Sequence, residues 1–120
     1  MSTYKVHLQA AKSLYIPFPR SVRVNSIRFV TYSGFDTHAA NYFTLTVYAN
    51  DAATALCTYT NNSSGGSAFT DAVPVEATLA NMDKGDFSTT QVMKIVSALA
   101  GTGTIDGTLV IDVDDNRDFS

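Results

Sequence analysis

The chain has 120 residues, a formal net charge of −3, no tryptophan and a single cysteine, Cys57. That length suits one domain around one continuous core, so we predict a single domain over residues 1–120. The weak negative charge excludes the strongly cationic surface that non-specific nucleic-acid binding needs. The lone cysteine excludes an intramolecular disulfide, and no apolar run reaches the length of a membrane span.

The first third of the chain predicts three strands. Alternating side chains place strands at residues 3–8 and 14–18, and the prolines that end the second strand confine it to a sheet edge. A third strand is predicted at residues 21–33. Its apolar residues change phase at residues 25–26, which indicates either a β-bulge or a strand that passes from one sheet to another. Residues 34–41 are predicted to form a loop.

The middle of the chain predicts three more strands. Residues 42–49 alternate most clearly and predict a central strand, with residues 54–60 as its partner. Asparagine, serine and glycine fill residues 61–67, which predicts an exposed loop tip. Alternation resumes over residues 73–79, where Pro74 marks an edge or a strand start.

Residues 87–100, which follow a predicted turn at residues 81–86, are ambiguous. Helical spacing and a possible capping box at residues 88–91 favour a helix, whereas alternation favours a strand. We favour the strand, because the run leads through residues 101–103 into a strongly alternating final strand, and the two would form a long hairpin. In that final strand, five residues share one parity: Ile105, Gly107, Leu109, Ile111 and Val113.

The strand pattern determines the predicted fold class. About eight short strands, without an internal repeat or alternating helices, predict an all-β antiparallel β-sandwich of the jelly-roll type. An immunoglobulin-like sandwich is the alternative, and the absence of a core tryptophan weakens it.

The few charges are unevenly distributed along the sequence. Five basic residues precede the first acid, Asp36. The last fifteen residues contain five aspartates and only one basic residue, Arg117. Two interpretations remain open at this point. The folded surface carries a dipole if the chain ends lie apart, or the charges neutralise each other if the first and last strands lie side by side.

No catalytic or metal-binding motif is present in the sequence. His7 and His38 stand alone, and no Gly-x-Ser-x-Gly elbow or phosphate-binding loop occurs, so we predict a protein that is not an enzyme and needs no cofactor. Residues 112–118 resemble the start of a calcium loop. Arg117 stands where such a loop needs glycine, and no glutamate follows to close the site, so solvated strand-end charges are the preferred interpretation and no metal is predicted.

A few aromatic and basic residues are candidate interface residues. Tyrosine offers a large contact area at small entropic cost and is enriched at protein interfaces, although tyrosine and threonine are also ordinary solvent-facing strand residues. Phe18, between two prolines, and Phe119 could be anchors or could cap the core. The candidate interface residues are Phe18, Arg20, Arg23, Tyr42, Tyr48 and Phe119.

Three segments resemble small structural proteins of tailed bacteriophages: residues 14–20 (LYIPFPR), 22–30 (VRVNSIRFV) and 103–113 (GTIDGTLVIDV). Within that group, the chain resembles decoration or cement proteins with jelly-roll folds. The likeness lies in short strands rich in threonine, serine, alanine and glycine, and it transfers no functional residue.

The resemblance implies a non-enzymatic virion protein that binds the major capsid protein on the capsid exterior, often as a trimer, after synthesis in the host cytoplasm. It implies neither a nucleic-acid nor a membrane partner. Two alternatives remain. One is a carbohydrate-binding sandwich that uses Tyr42 and Tyr48 as stacking platforms, and the other is a neck, tail or fibre component of the virion.

Overall fold

Alternating side chains organise most of the chain into β-strands. The computed structural model describes residues 2–9 and 12–115. No helix in these two ranges is long and apolar enough to cross a membrane. The elements are β1 (Ser2–Leu8), β2 (Ser13–Pro17), β3 (Val22–Thr31), β4 (Tyr42–Tyr48), β5 (Ala55–Thr60), β6 (Val75–Glu76), a 3₁₀ turn (Met82–Lys84), β7 (Asp86–Phe87), β8 (Val92–Ala100) and β9 (Gly107–Asp115).

The strands form two antiparallel sheets that pack face to face. The first sheet has the order β1-β9-β3-β6, with β7 also paired to β3, and the second has the order β2-β8-β4-β5. Because β6 and β7 both pair with β3, they act as two halves of one interrupted edge strand. The pairing is therefore nested: β1 pairs with β9, β2 with β8, β3 with β6 and β7, and β4 with β5. This is the topology of a jelly roll. The predicted all-β jelly-roll sandwich is confirmed.

The phase change in the third strand is a β-bulge. The register between β3 and β9 shifts between Val24 and Ser26, so Asn25 is the extra residue and β3 stays in one sheet. The bulge restores the inward direction of the later apolar residues, Ile27 and Phe29. The predicted edge position of β2 is also confirmed, because β8 is its only neighbour among the described strands.

The core lies between the two sheets and is filled by the inward side chains of both. Phe29 on β3 contacts Phe43 on β4 and Tyr59 on β5, with ring centroids 5.8 and 5.3 Å apart. Phe69, from the loop after β5, packs on Phe43 at 5.3 Å. Burying one such ring stabilises the fold by about 2–3 kcal/mol, and the tilted geometry adds to that. This aromatic cluster therefore joins the two sheets.

The structure confirms β8 as a strand and corrects the hairpin. β8 belongs to the second sheet and β9 to the first, so the chain crosses the sandwich over residues 101–106 instead of turning back on itself. Gly101 has φ +57°, and a Cβ on Gly103 would lie 2.3 Å from the Tyr42 carbonyl oxygen. The two glycines that suggested a tight hairpin turn are needed at this crossing.

Two local predictions in the middle of the chain were only partly right. Residues 61–67 form a loop, but Asn61 is 5% exposed because its side chain bonds to the backbone of neighbouring segments. In the strand predicted at residues 73–79, only Val75–Glu76 pairs, and Val73 is 48% exposed. The polar composition of residues 61–67 could not show that the Asn61 side chain would bond to the Phe43 amide in place of a backbone carbonyl.

The chain ends answer the question left open by the charge distribution. β1 pairs with β9 along its whole length, so the first and last strands lie side by side. Arg20 forms an ion pair with Asp115, with 3.2 Å between Nη1 and Oδ2. Arg28 likewise pairs with Asp112 at 3.0 Å. Basic and acidic residues of the two ends therefore neutralise each other across neighbouring strands.

Candidate functional site

The outward side chains of β1, β9, β3, β6 and β7 form a surface that we call the charged face. Asp112 lies at its centre, where Arg28 donates to Oδ2 at 3.0 Å. The Thr3 hydroxyl donates to Oδ1 at 2.7 Å, and the Ser26 hydroxyl donates to Oδ2 at 2.9 Å. Further along, Arg23 pairs with the Asp86 carboxylate at 3.6 Å. Arg23 and Arg28 are therefore each matched to an acid on a neighbouring strand.

The hydroxyls of Thr3 and Ser26, followed by the charge of Arg28, hold the pKa of Asp112 below its ordinary value of 3.8. A depressed carboxyl pKa stabilises the fold above the unfolded-state pKa, and this contribution is lost as pH falls through the folded-state value. We therefore expect Asp112→Asn to lower the free energy of unfolding by about 1 kcal/mol at pH 7.

Urea unfolding at pH 7 and again below pH 3.8 measures this effect of Asp112. The difference between the parent and Asp112→Asn should shrink as the pH falls. Thr3→Val is the matched control, because it removes one donor to the carboxylate and should reduce the same pH dependence in part. A difference that is independent of pH would contradict the assignment.

The outward side chains of β2, β8, β4 and β5 form the opposite surface, which we call the neutral face. One row crosses it from Ser13 through Val96 and Thr46 to Thr58. Among the outward side chains described on these four strands, Lys94 is the only charged one. The face consists of Ser13, Tyr15, Pro17, Val92, Lys94, Val96, Ala98, Ala100, Tyr42, Thr44, Thr46, Tyr48, Thr58 and Thr60.

The neutral face has small or β-branched side chains at its centre and aromatic ones near its margins. Threonine, valine and alanine fill the middle, and the Lys94 ammonium lies 5.5 Å from the centroid of the Tyr48 ring. Tyr15, in register with Lys94, is 59% exposed. Four strands about 4.8 Å apart and six residues long give about 400 Å² in projection. Depletion of charge with aromatic enrichment is the composition of protein-interface cores.

The six residues predicted as interface candidates do not form one surface. Phe18 is 3% exposed and packs on Tyr4 and Phe87, so it caps the core and offers no exposed anchor. Arg20 and Arg23 are ion-paired to acids of the first sheet. Phe119 lies outside the described residues.

Tyr42 and Tyr48 are on the neutral face, at opposite ends of β4. Six residue steps separate them by about 20 Å. Sequence reasoning missed Tyr15, Lys94 and Val96, which share this face. Outward parity was visible for each of them, but parity within one strand does not show which strands are neighbours.

The cysteine and the two histidines differ in their surroundings. Burial raises the pKa of the Cys57 thiol to about 12, so the thiol stays protonated at neutral pH. His38 Nδ1 accepts hydrogen bonds from the Ala40 and Asn41 amides, which closes its loop. His7 lies 3.6 Å from the Asp106 carboxylate on the surface. Within residues 2–9 and 12–115, no three His, Cys, Asp or Glu side chains could hold one metal ion.

The calcium candidate at residues 112–118 lies only partly within the described chain. Its first acid, Asp112, is committed to Thr3, Ser26 and Arg28, while residues 116–118 lie outside the described residues. Comparison with known proteins adds no assignment: no family model, curated protein or solved structure matches this chain.

Proposed function

We propose that this protein is a non-enzymatic structural component of a bacteriophage virion that decorates the capsid and docks through its neutral face. The contrast between the two sheet surfaces supports this proposal. Three arginines of one surface, Arg20, Arg23 and Arg28, are ion-paired to acids of the same chain, while the other surface exposes hydroxyl, methyl and aromatic groups with one ammonium. A surface with one ammonium and no carboxylates can be covered by a partner at a smaller cost in charge desolvation than the charged face.

The size of the neutral face indicates how such docking would work. A projected area of about 400 Å² is small beside the roughly 800 Å² that each partner buries in a standard interface. One copy would therefore bind weakly, whereas a trimer with three faces gains affinity through effective concentration. Binding the assembled shell in preference to separated subunits stabilises the shell by linkage. The proposed partner is the major capsid protein, and the proposed location is the capsid exterior.

A matched pair of substitutions tests the docking surface. Val96 lies between Ser13 and Thr46 at the centre of the neutral face, and Val110 lies between Lys5 and Arg28 on the charged face. Both are outward valines on inner strands. We expect Val96→Glu to weaken capsid binding about a hundredfold, because a buried unpaired carboxylate costs several kcal/mol. Val110→Glu should leave binding unchanged.

Light scattering on the isolated protein, followed by sedimentation with purified capsids that lack it, measures both variants. The expected result is a trimer that sediments with capsids at a saturable ratio related to their symmetry. A monomer that stays in the supernatant at every ratio would contradict the proposal. Equal losses for the two variants would refute the neutral face as the docking surface.

Carbohydrate binding is the second candidate function, supported by the exposed ring of Tyr15 opposite Lys94 and the nearby ring of Tyr48. The separation of Tyr42 and Tyr48 along β4 prevents one monosaccharide from stacking on both. Saturable binding to a glycan array that Tyr48→Ala abolishes would favour this function over capsid decoration.

A neck, tail or fibre role would show the same neutral face engaged by a different virion protein.

A further inference from the structure

A cleft of about 300 Å³ opens at the side of the sandwich where the two edge strands β5 and β6 face each other. One wall is residues 58–60 of β5, and the opposite wall is residues 75–78. The loop residues 65–69 form the remaining side. This volume is at the lower end of the range for ligand pockets. The cleft is separate from the centre of the neutral face.

Backbone groups of β5 point into this cleft. In an antiparallel ladder, alternate residues direct both N–H and C=O toward the same neighbour. The Leu56 carbonyl accepts from the Ala80 amide at 2.8 Å, and the Thr60 carbonyl accepts from the Ser67 amide at 3.1 Å, both on the side away from β4. Thr58 has the same parity, so its N–H and C=O leave the sheet in the same direction.

The chain covers this sheet edge on both sides of Thr58 and leaves it open between. The Ala80 and Ser67 amides bond to the carbonyls of Leu56 and Thr60, which lie two residues before and two residues after Thr58. Among the described residues, neither backbone group of Thr58 has a backbone partner outside the ladder. Proteins normally cover or blunt such edges, because unpaired strand groups bind other extended chains. The interval from residue 56 to residue 60 is about 13 Å long, which accommodates about three residues of an extended segment.

The lining of the cleft indicates which chain would fit. A free N–H and C=O on one strand residue match the backbone of an extended peptide, as in β-strand addition. Glu76 is the only charged residue in the lining. The other polar side chains are the hydroxyls of Thr58, Thr60, Ser67 and Thr78, and that of Tyr59, which donates to the Ile27 and Val75 carbonyls. Charge complementarity therefore favours a basic residue in the ligand.

We propose that this cleft binds a short extended peptide segment of a partner protein, which adds to β5 at Thr58 and places a basic side chain beside Glu76. The segment would extend the second sheet by one strand. This site goes beyond docking through the neutral face, since it uses the backbone at the side of the sandwich.

Amide NMR titration with three peptides tests the proposal on the whole chain. The probe is acetyl-Val-Lys-Val-amide, and the controls are the same peptide with the backbone nitrogens of all three residues methylated and acetyl-Val-Glu-Val-amide. We expect saturable shifts at the amides of Thr58, Gly66 and Glu76 with the lysine peptide. N-methylation should abolish them, because it removes the backbone donor. Glu76→Gln should weaken binding about fivefold, as expected for one partly exposed ion pair, and Asp83→Asn, outside the cleft, should not.

Three results would overturn the proposal. One is the absence of saturable shifts up to about 10 mM lysine peptide, because a dissociation constant above that concentration is too weak for specific strand addition. Another is equal binding of the N-methylated peptide. The third comes from hydrogen exchange without peptide: the Thr58 amide should exchange much faster than those of Cys57 and Tyr59, and equal protection would show that the edge is not open. Retained peptide binding with failed capsid binding would separate this site from the proposed function.

Discussion

Asn61→Ala should destabilise the fold by about 2–3 kcal/mol, because it leaves a buried backbone amide without a partner. Asn61 Oδ1 accepts from the Phe43 amide at 2.8 Å, and Nδ2 donates to the Asp36 carbonyl at 2.9 Å. The side chain thereby continues the β4–β5 ladder by one step and ties the loop before β4 to it. Alanine removes both bonds and admits no water to a site that is 5% exposed.

Thermal unfolding of Asn61→Ala and Asn62→Ala measures this effect with a neighbouring control. Asn62 has the same side chain, but its Oδ1 only accepts from the Ser64 amide at an exposed turn. We expect the midpoint of Asn61→Ala to fall by about 10 °C and that of Asn62→Ala by a few degrees at most. Similar midpoints for the two variants would show that water satisfies the Phe43 amide, which would remove the structural role assigned to Asn61.

Asn61 also shows what the sequence could not predict about the fold. Alternation located most of the strands, and the phase change at Asn25 located the bulge, because burial on one side of a sheet imposes a period of two. The loop after β5 has the composition of an exposed turn, yet its first residue is buried by bonds to Asp36 and Phe43, which lie 25 and 18 residues away. Such long-range partners leave no local signal.

The hairpin error has a related physical cause. β8 and β9 each have one apolar side, and this pattern is the same whether two strands pair in one sheet or face each other across a sandwich. Linker length does not decide between them here, because residues 101–106 suffice to cross the roughly 10 Å between sheets. Sequence patterning therefore predicted the layers better than the connections between them.

The candidate site was predictable only in part, because the pattern within one strand does not show which strands lie beside it. The outward parity of Tyr42 and Tyr48 was visible, and both lie on the neutral face. The neutrality of that face is a property of four strands together, and it depends on β2 and β8 lying beside β4. For Phe18 the sequence left two roles open, an exposed anchor and a cap of the core, and the contact of its ring with Phe87 identifies it as the cap.

Gly107→Ala should destabilise the protein by about 3 kcal/mol, at the upper end of the usual cost of overpacking. Gly107 occupies the inward parity of β9, where its neighbours Ile105 and Leu109 are buried. A Cβ at this position would lie 2.4 Å from the Val30 carbonyl oxygen and 2.9 Å from a ring carbon of Phe29. The first contact is with backbone, so no side-chain rotation relieves it, and β3 and β9 must separate locally.

Urea unfolding of Gly107→Ala beside Thr108→Ala tests this packing argument. Thr108 is the next residue on β9, points outward and shares a 2.6 Å hydrogen bond with the exposed Tyr32 hydroxyl. Its replacement should cost less than about 1 kcal/mol, because water can replace the bond. If Gly107→Ala had the same urea midpoint as the parent protein, β3 and β9 would not approach as closely at this position as the structure shows.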